Sequence, residues 1–308
     1  MSERIQTEAD EKVAACLNEQ RSFAVIAGAG SGKTSSLIDA LNLVRDNYGV
    51  ALRENGQRVA CITYTKRAVA VISTRLGFDD LFVVSTLHSF LWGEIKTFTK
   101  DIRNALRESR IPQLIAKAAE KDNGGNSKTA LKAREKVAKL SEELEKLDEV
   151  VAFRYGDAVY SNYLEGRLSH DDVIEIAGCL LKGKAVFRKA FGFRYPFIFV
   201  DEAQDTFPVV VEAFNAVTED DGLPVVGYFG DPWQQIYEKR AGDFKPPAGG
   251  ETIEKTENFR CSESVITFLN AFRKDVTQYP AGDNKGRQGS VKITLIEAEN
   301  PEAPRRRY

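Results

Sequence analysis

The stretch Ala27-Gly28-Ala29-Gly30-Ser31-Gly32-Lys33-Thr34 decides the fold. Before its first glycine runs Phe23-Ala24-Val25-Ile26-Ala27, short and continuously apolar, the pattern of a strand buried on both faces of a parallel sheet. After it, Leu37, Ile38, Leu41 and Val44 recur at helical spacing. Strand, glycine loop and helix in that order open a βαβ unit. The glycines let successive backbone amides face one point, and the helix N-terminus adds partial positive charge there. This is a phosphate cradle of the Walker A type. Lys33 is expected to reach the β- and γ-phosphates of a nucleoside triphosphate, and the Thr34 hydroxyl to ligate Mg²⁺. Gly28, Ala29, Gly30, Ser31, Gly32, Lys33, Thr34 and Ser35 form the expected nucleotide-binding set.

A second apolar run, Phe197-Ile198-Phe199-Val200, closes on Asp201-Glu202. An acidic pair at a strand end is common as a cap, and its weight comes from pairing with the glycine loop. Asp201 is expected to hold Mg²⁺, mostly through water, and Glu202 to polarise the attacking water as general base. Further strands are predicted at Val59–Thr63, Leu81–Val84, Leu223–Phe229 and Val291–Ile296. Helical stretches separate several of them. The predicted fold is therefore α/β, a P-loop NTPase with a mostly parallel sheet and helices on both faces.

From about Phe98 to Ala190 the strand signal disappears, and a charged, helix-rich block is broken by the turn Asp122-Asn123-Gly124-Gly125-Asn126-Ser127. Ala133, Val137, Leu140, Leu144, Leu147 and Val151 follow at spacings of 4, 3, 4, 3 and 4. That short heptad seam predicts an antiparallel hairpin within an inserted helical subdomain, with docking to a partner as the alternative.

Composition narrows the class. The chain has 308 residues, 43% hydrophobic and 29% charged, enough to bury a core without staples. Its net charge of −2 argues against a surface that wraps nucleic acid throughout, but leaves room for a local basic groove. Four scattered cysteines and two histidines, His88 and His170, make a zinc site improbable and read as reduced thiols. No apolar run approaches the roughly 20 residues that span a bilayer, so no membrane role and a cytoplasmic location are expected.

Five further strings share the chain with the glycine loop: Ile62-Thr63-Tyr64-Thr65-Lys66-Arg67-Ala68, Ser85-Thr86-Leu87-His88-Ser89-Phe90, Asp201-Glu202-Ala203-Gln204-Asp205, Gly230-Asp231-Pro232-Trp233-Gln234-Gln235-Ile236-Tyr237 and Asn258-Phe259-Arg260. In identity and order they resemble the motifs of UvrD/Rep-type superfamily 1 helicases. The Gly-Asp-Pro-x-Gln-Gln-Ile-Tyr form is most similar to the branch of F-box DNA helicases and bacterial defence helicases.

The resemblance implies a RecA-like fold and ATP hydrolysis driving 3′-to-5′ movement on single-stranded DNA. It implies that Gln234 senses the γ-phosphate and that Arg260 stabilises charge developing there. It also implies that Tyr64, Thr65, Thr86 and His88 line the single-stranded DNA path, with Tyr237 beside stacked bases. The implied organisation is a first RecA-like domain in two parts, 1–97 and 191–280, a helical insertion at 98–190, and the start of an incomplete second domain at 281–308. The expected partner is the missing second helicase domain or a nuclease subunit.

Departures from the family pattern are Asp10 near the place of an adenine-reading glutamine, Lys66 in place of an asparagine, and Glu238-Lys239-Arg240 where a base-stacking aromatic is usual. Trp233 is expected to pack internally, His170-Asp171-Asp172 to cap a helix, and Arg305-Arg306-Arg307 to be a solvated tail.

Overall fold

The computed structural model describes residues 5–294 apart from 157–159, 220–223, 238–239, 243 and 274. The chain enters through α1 (Glu8–Asn18), which Thr7 and Asp10 close with a reciprocal capping box. β1 (Phe23–Ala27) and α2 (Lys33–Glu54) flank the glycine loop, followed by β2 (Val59–Thr63), α3 (Lys66–Arg75) and β3 (Phe82–Thr86). A helical block follows: α4 (Leu87–Ile95), α5 (Thr99–Ala105), α6 (Ile111–Ala119) and α7 (Lys128–Glu145). The two-residue strands β4 (Arg154–Tyr155) and β5 (Arg167–Leu168) precede α8 (His170–Gly183) and α9 (Ala185–Arg194). The chain then returns to the sheet as β6 (Phe197–Asp201), α10 (Pro208–Val217), β7 (Val225–Gly230) and β8 (Glu251–Lys255). It continues through β9 (Glu257–Asn258), α11 (Glu263–Phe272) and β10 (Tyr279–Pro280).

Six strands form one sheet in the order β3-β2-β6-β7-β1-β8, and every pairing is parallel. The four central strands are buried at every position. Alternate residues serve opposite faces. Ala24, Ile26, Ile62 and Val200 share a core with α4, α8 and α10, while Phe23, Val25, Cys61 and Phe199 share one with α1 and α2. Each large apolar side chain so buried contributes about 1.5–3 kcal/mol, before the entropy of ordering it. Helices thus cover both faces of a parallel sheet, as predicted.

The edge strand β8 escapes prediction because Glu251-Thr252-Ile253-Glu254-Lys255 holds a single apolar residue, and it buries its terminal lysine completely. The strand predicted at Val291–Ile296 is not formed over 291–294, and its remainder lies outside the described residues, as do Leu223 and the arginine tail. Trp233 corrects the packing expectation. It is 58% exposed, because the turn that carries it aims it outward.

In the helical block the seam residues Ala133, Leu140 and Leu147 are buried, Val137 and Leu144 are half-buried, and Val151 is exposed. Leu114 and Ala118 of α6 face Lys132 and Ala133 of α7 across the antiparallel hairpin. The seam therefore closes within the chain, and little of it is left for a partner. Asp172, fully buried, forms a capping box with Ser169 at the start of α8, as the predicted cap implied. Arg110 Nε donates to the same carboxylate at 2.7 Å and the Tyr163 hydroxyl at 3.0 Å, joining α8 to the chain before α6. Among the described residues all four cysteines are free and no helix is long and apolar enough to cross a membrane.

Candidate functional site

Parallel strands leave the sheet at one edge, so the segments that follow β1, β2, β6, β7 and β8 gather there. These segments carry the motifs read from the sequence. After β1, Gly30 and Gly32 take positive φ values of 78° and 81°, and Gly32 leads directly into α2 at Lys33. A Cβ on Gly30 would lie 2.7 Å from Asn258 Oδ1 and 2.8 Å from Arg260 Cβ, so only glycine allows the 257–261 segment to approach the loop. The amide of Phe259 donates to the Gly30 carbonyl at 2.8 Å, and Asn258 Nδ2 to that of Ala29 at 2.8 Å. Gln278 Nε2 adds a longer bond to the Ala29 carbonyl at 3.3 Å. The loop is therefore pinned from outside as well as curled from within.

Lys33 Nζ forms an ion pair with Glu202 Oε2 and lies 3.8 Å from Asp201 Oδ1. Burial raises the Asp201 pKa above the usual carboxylate range, with Lys33 opposing the rise. Burial would also raise Glu202, but the charge and hydrogen bond of Lys33, with a bond from Gln204, outweigh it and hold Glu202 low. Glu202 itself has φ of +51°, a left-handed conformation that costs an ordinary residue of order 1–3 kcal/mol and recurs at functional sites.

Thr34, Asp201, Glu202 and Gln234 line one cavity of about 400 Å³, together with Tyr64 and Thr65. Asp201 Oδ1 is a buried acceptor without a hydrogen-bond partner, and no cluster of three or more metal-ligating side chains occurs among the described residues. One carboxylate and one hydroxyl suit Mg²⁺, which takes few protein ligands and completes its shell with phosphate and water.

Gln204 and Asp205 carry roles that the sequence alone does not reveal. Gln204 is 1% exposed; its Nε2 donates to Glu202 Oε2 at 2.8 Å, and its Oε1 accepts from the Asp231 amide at 3.0 Å. Asp205 Oδ1 accepts from the Ile236 amide at 3.1 Å. The segment after β6 is thus stitched to the segment after β7. Gln234 is exposed and donates to Asp231, while Arg260 is exposed beside Gly30 with no ion-pair partner among the described residues.

The residues expected along a DNA path meet only in part. Tyr64 and Tyr237 lie 5.4 Å apart by ring centroids, and Arg240 stands 5.5 Å over Tyr237 and 3.5 Å over Phe207. His88 continues the line at 5.9 Å from Phe207 and 4.8 Å from His170. Thr65 spends its hydroxyl on the N-terminus of α3, accepting from Ala68 at 3.1 Å, and Thr86 donates to Ser89 at 3.0 Å.

Burial, then the neighbouring His170 and Arg240, push His88 down from 6.5 to about 4. The unfolded chain then binds a proton at a pH where the native chain does not, so stability is lost as pH falls from about 6.5 towards 4. Melting temperature should fall across that window, and less steeply in His88→Asn. An unchanged slope in the variant would assign the acid sensitivity elsewhere.

Asp10 does not present a free edge to a base. It is 7% exposed and caps α1, accepts from Ser36 Oγ of α2 at 2.5 Å, and pairs with the buried Lys255 Nζ at 3.1 Å. It ties three elements together behind the phosphate loop.

The chain is 28% identical to the Gabija protein GajB of Bacillus cereus (strain HuB5-5), over 86% of its own length and 49% of that protein. It is 25% identical to a probable DNA helicase II homolog of Mycoplasma capricolum, over 86% of its length and 41% of the relative. The chain thus spans about half or less of the length of these curated relatives. Among solved structures, Pif1 helicase from Candida albicans aligns with a TM-score of 0.43 and 14% identity, over 89% of this chain and 45% of that one. The description of the UvrD/REP helicase N-terminal domain matches residues 7–246, and the chain belongs to that family.

Proposed function

We propose that this chain is the ATP-hydrolysing first motor domain of a DNA helicase, coupling hydrolysis to 3′-to-5′ movement on single-stranded DNA together with a second RecA-like domain. In this reading 1–97 and 191–280 form the motor domain, 98–190 its helical insertion, and 281–308 the beginning of the next domain. The carrying observation is the cavity in which Thr34, Asp201, Glu202 and Gln234 meet Tyr64 and Thr65, with Lys33 paired to the two carboxylates. Nucleotide chemistry and strand contact then share one wall.

Lys33 leaves Glu202 to pair with the outer phosphates, and the amides of Ala29 to Lys33 hold the remainder of the triphosphate. Freed from Lys33, Glu202 orients and deprotonates water for in-line attack, and Gln204 keeps its carboxylate in place. Thr34 and Asp201 would hold Mg²⁺, which neutralises charge developing on the transferred phosphoryl group. Arg260 supplies the fixed guanidinium for that same charge. Tyr64 and Tyr237 offer π-faces to bases at about 1–3 kcal/mol each, without reading sequence. Five lysines, Lys117, Lys121, Lys128, Lys132 and Lys136, line a groove between α6 and α7 without an acidic partner among the described residues. They supply the local basic surface that the overall charge conceals.

The Gly230-to-Tyr237 string, similar to that of bacterial defence helicases, favours a second reading, in which the same site senses nucleotide or DNA within an antiviral defence complex containing a nuclease. Steady-state Mg-ATPase tests the motor reading, measured with and without single-stranded DNA and with the second domain supplied. Stimulation by DNA is expected. Nucleotide binding without any DNA stimulation would end the motor reading and leave the sensing one.

A further inference from the structure

Gln234 lies on an exposed turn, Pro232–Gln234, and does not orient itself. Its Nε2 donates to Asp231 Oδ2 at 2.6 Å, and Asp231 is 1% exposed. That carboxylate is in turn gripped by Arg273, 7% exposed, whose Nη1 donates to Oδ2 at 3.0 Å and whose Nη2 lies 2.9 Å from Oδ1. The Trp233 amide donates to Oδ1 at 3.2 Å, so both carboxylate oxygens are committed. Asp275 holds the guanidinium from its other side, with Oδ1 2.9 Å from Nε and Oδ2 2.9 Å from Nη2.

A bidentate fork fixes the plane of a carboxylate as well as its position. Arg273 therefore sets the plane of Asp231, and Asp231 sets the direction of the Gln234 carboxamide. A buried ion pair is rarely the most stabilising way to fill such a space, and orientation is the use that remains. The location gives that orientation a purpose. Arg273 caps the C-terminus of α11, and the N-terminus of α11 follows Arg260 by three residues. One short helix thus carries the loop-side arginine at one end and the support of Gln234 at the other.

We propose that Arg273 is a positioning residue that couples the Gln234 turn to the Arg260 segment, aiming the Gln234 amide at the γ-phosphate. The proposal rests on the reading of Gln234 given above and names what holds that residue in register.

The test uses the 308-residue chain with Mg²⁺ and fluorescent mant-ATP and mant-ADP. The ratio of the two affinities reads recognition of the γ-phosphate alone. Gln234→Ala should lower the wild-type preference for ATP by about fivefold or more, a typical coupling size. Arg273→Lys keeps the charge but loses the fork, and should lower the ratio to a similar extent with mant-ADP affinity unchanged. The double variant should fall no further, because one residue acts through the other. A wild-type ratio in Arg273→Lys, or additive losses in the double variant, overturns the proposal. Should Arg273→Lys fail to fold, Asp275→Asn weakens the grip on the guanidinium from its other side, so that the fork no longer holds one plane. Its ratio should be intermediate, and a wild-type ratio there overturns the proposal equally. If Gln234→Ala itself leaves the ratio unchanged, the reading of Gln234 fails and the proposal falls with it. If Gln234→Ala lowers the ratio and Arg273→Lys does not, Arg273 alone is wrong.

Discussion

Lys33→Ala is expected to abolish Mg-ATP turnover and to cut by half or more the rise in melting temperature that Mg-ATP gives the wild-type chain. Hydrogen bonds to a charged group are worth about 1.5–3 kcal/mol each, so losing the lysine–phosphate contact should weaken ATP binding about 10- to 150-fold. A ligand at 100 times its dissociation constant stabilises by about 2.7 kcal/mol, and after that loss the same concentration should stabilise by only about 0.3–1.4 kcal/mol. The variant should also be less stable without nucleotide. Lys33 is the cation facing buried Asp201 and Glu202, and its removal leaves two like charges together. Because the folded Asp201 pKa is raised, its ionisation opposes folding, and that cost grows as pH rises through its unfolded value of 3.8. The added instability of Lys33→Ala should therefore be smaller in acid than at neutral pH. Thermal melts with and without Mg-ATP measure both effects, and an ATP shift of wild-type size in the variant would remove Lys33 from the phosphate site.

This site was largely legible because its parts are local. The glycine loop lies between a strand and a helix that announce themselves by apolar run and apolar period, and Asp201-Glu202 closes another such run. Contacts between distant residues were not legible. Gln204 reaches Asp231 across 27 residues, Arg273 reaches it across 42, and Gln278 reaches Ala29 across 249. Such bonds leave no periodic trace, since a lone polar residue in a loop reads the same whether it is solvated or gripping a carboxylate. Asp10 shows the same limit from the other side. Its departure from the family pattern was visible, but its buried partner Lys255 lies 245 residues away on a strand too polar to predict. The exposure of Trp233 depends on the turn that aims it, which hydrophobicity does not report, while the heptad seam is legible as a hairpin because both helices lie close in sequence.

Glu202→Gln should bind Mg-ATP as well as the wild type, or more tightly, and hydrolyse it about 10²–10⁴-fold more slowly, the usual contribution of a positioned base. The carboxamide keeps the shape of the side chain, and its oxygen can still accept from Gln204, so the left-handed turn at 202 should survive. What disappears is the proton acceptor. Also lost is the ion pair that Lys33 must leave before it meets phosphate, which is why affinity should not fall. The pH profile then checks the assignment without a second mutation. In the free chain Lys33 holds the Glu202 pKa below 4.5, so kcat/KM should lose activity only as pH falls below that value. In the ATP complex Lys33 is drawn to phosphate and burial acts on Glu202 with less opposition, so the acid limb of kcat should lie at higher pH than that of kcat/KM. Coincident limbs would mean that Lys33 never leaves Glu202 during turnover. Wild-type hydrolysis by Glu202→Gln would mean that another group takes the proton.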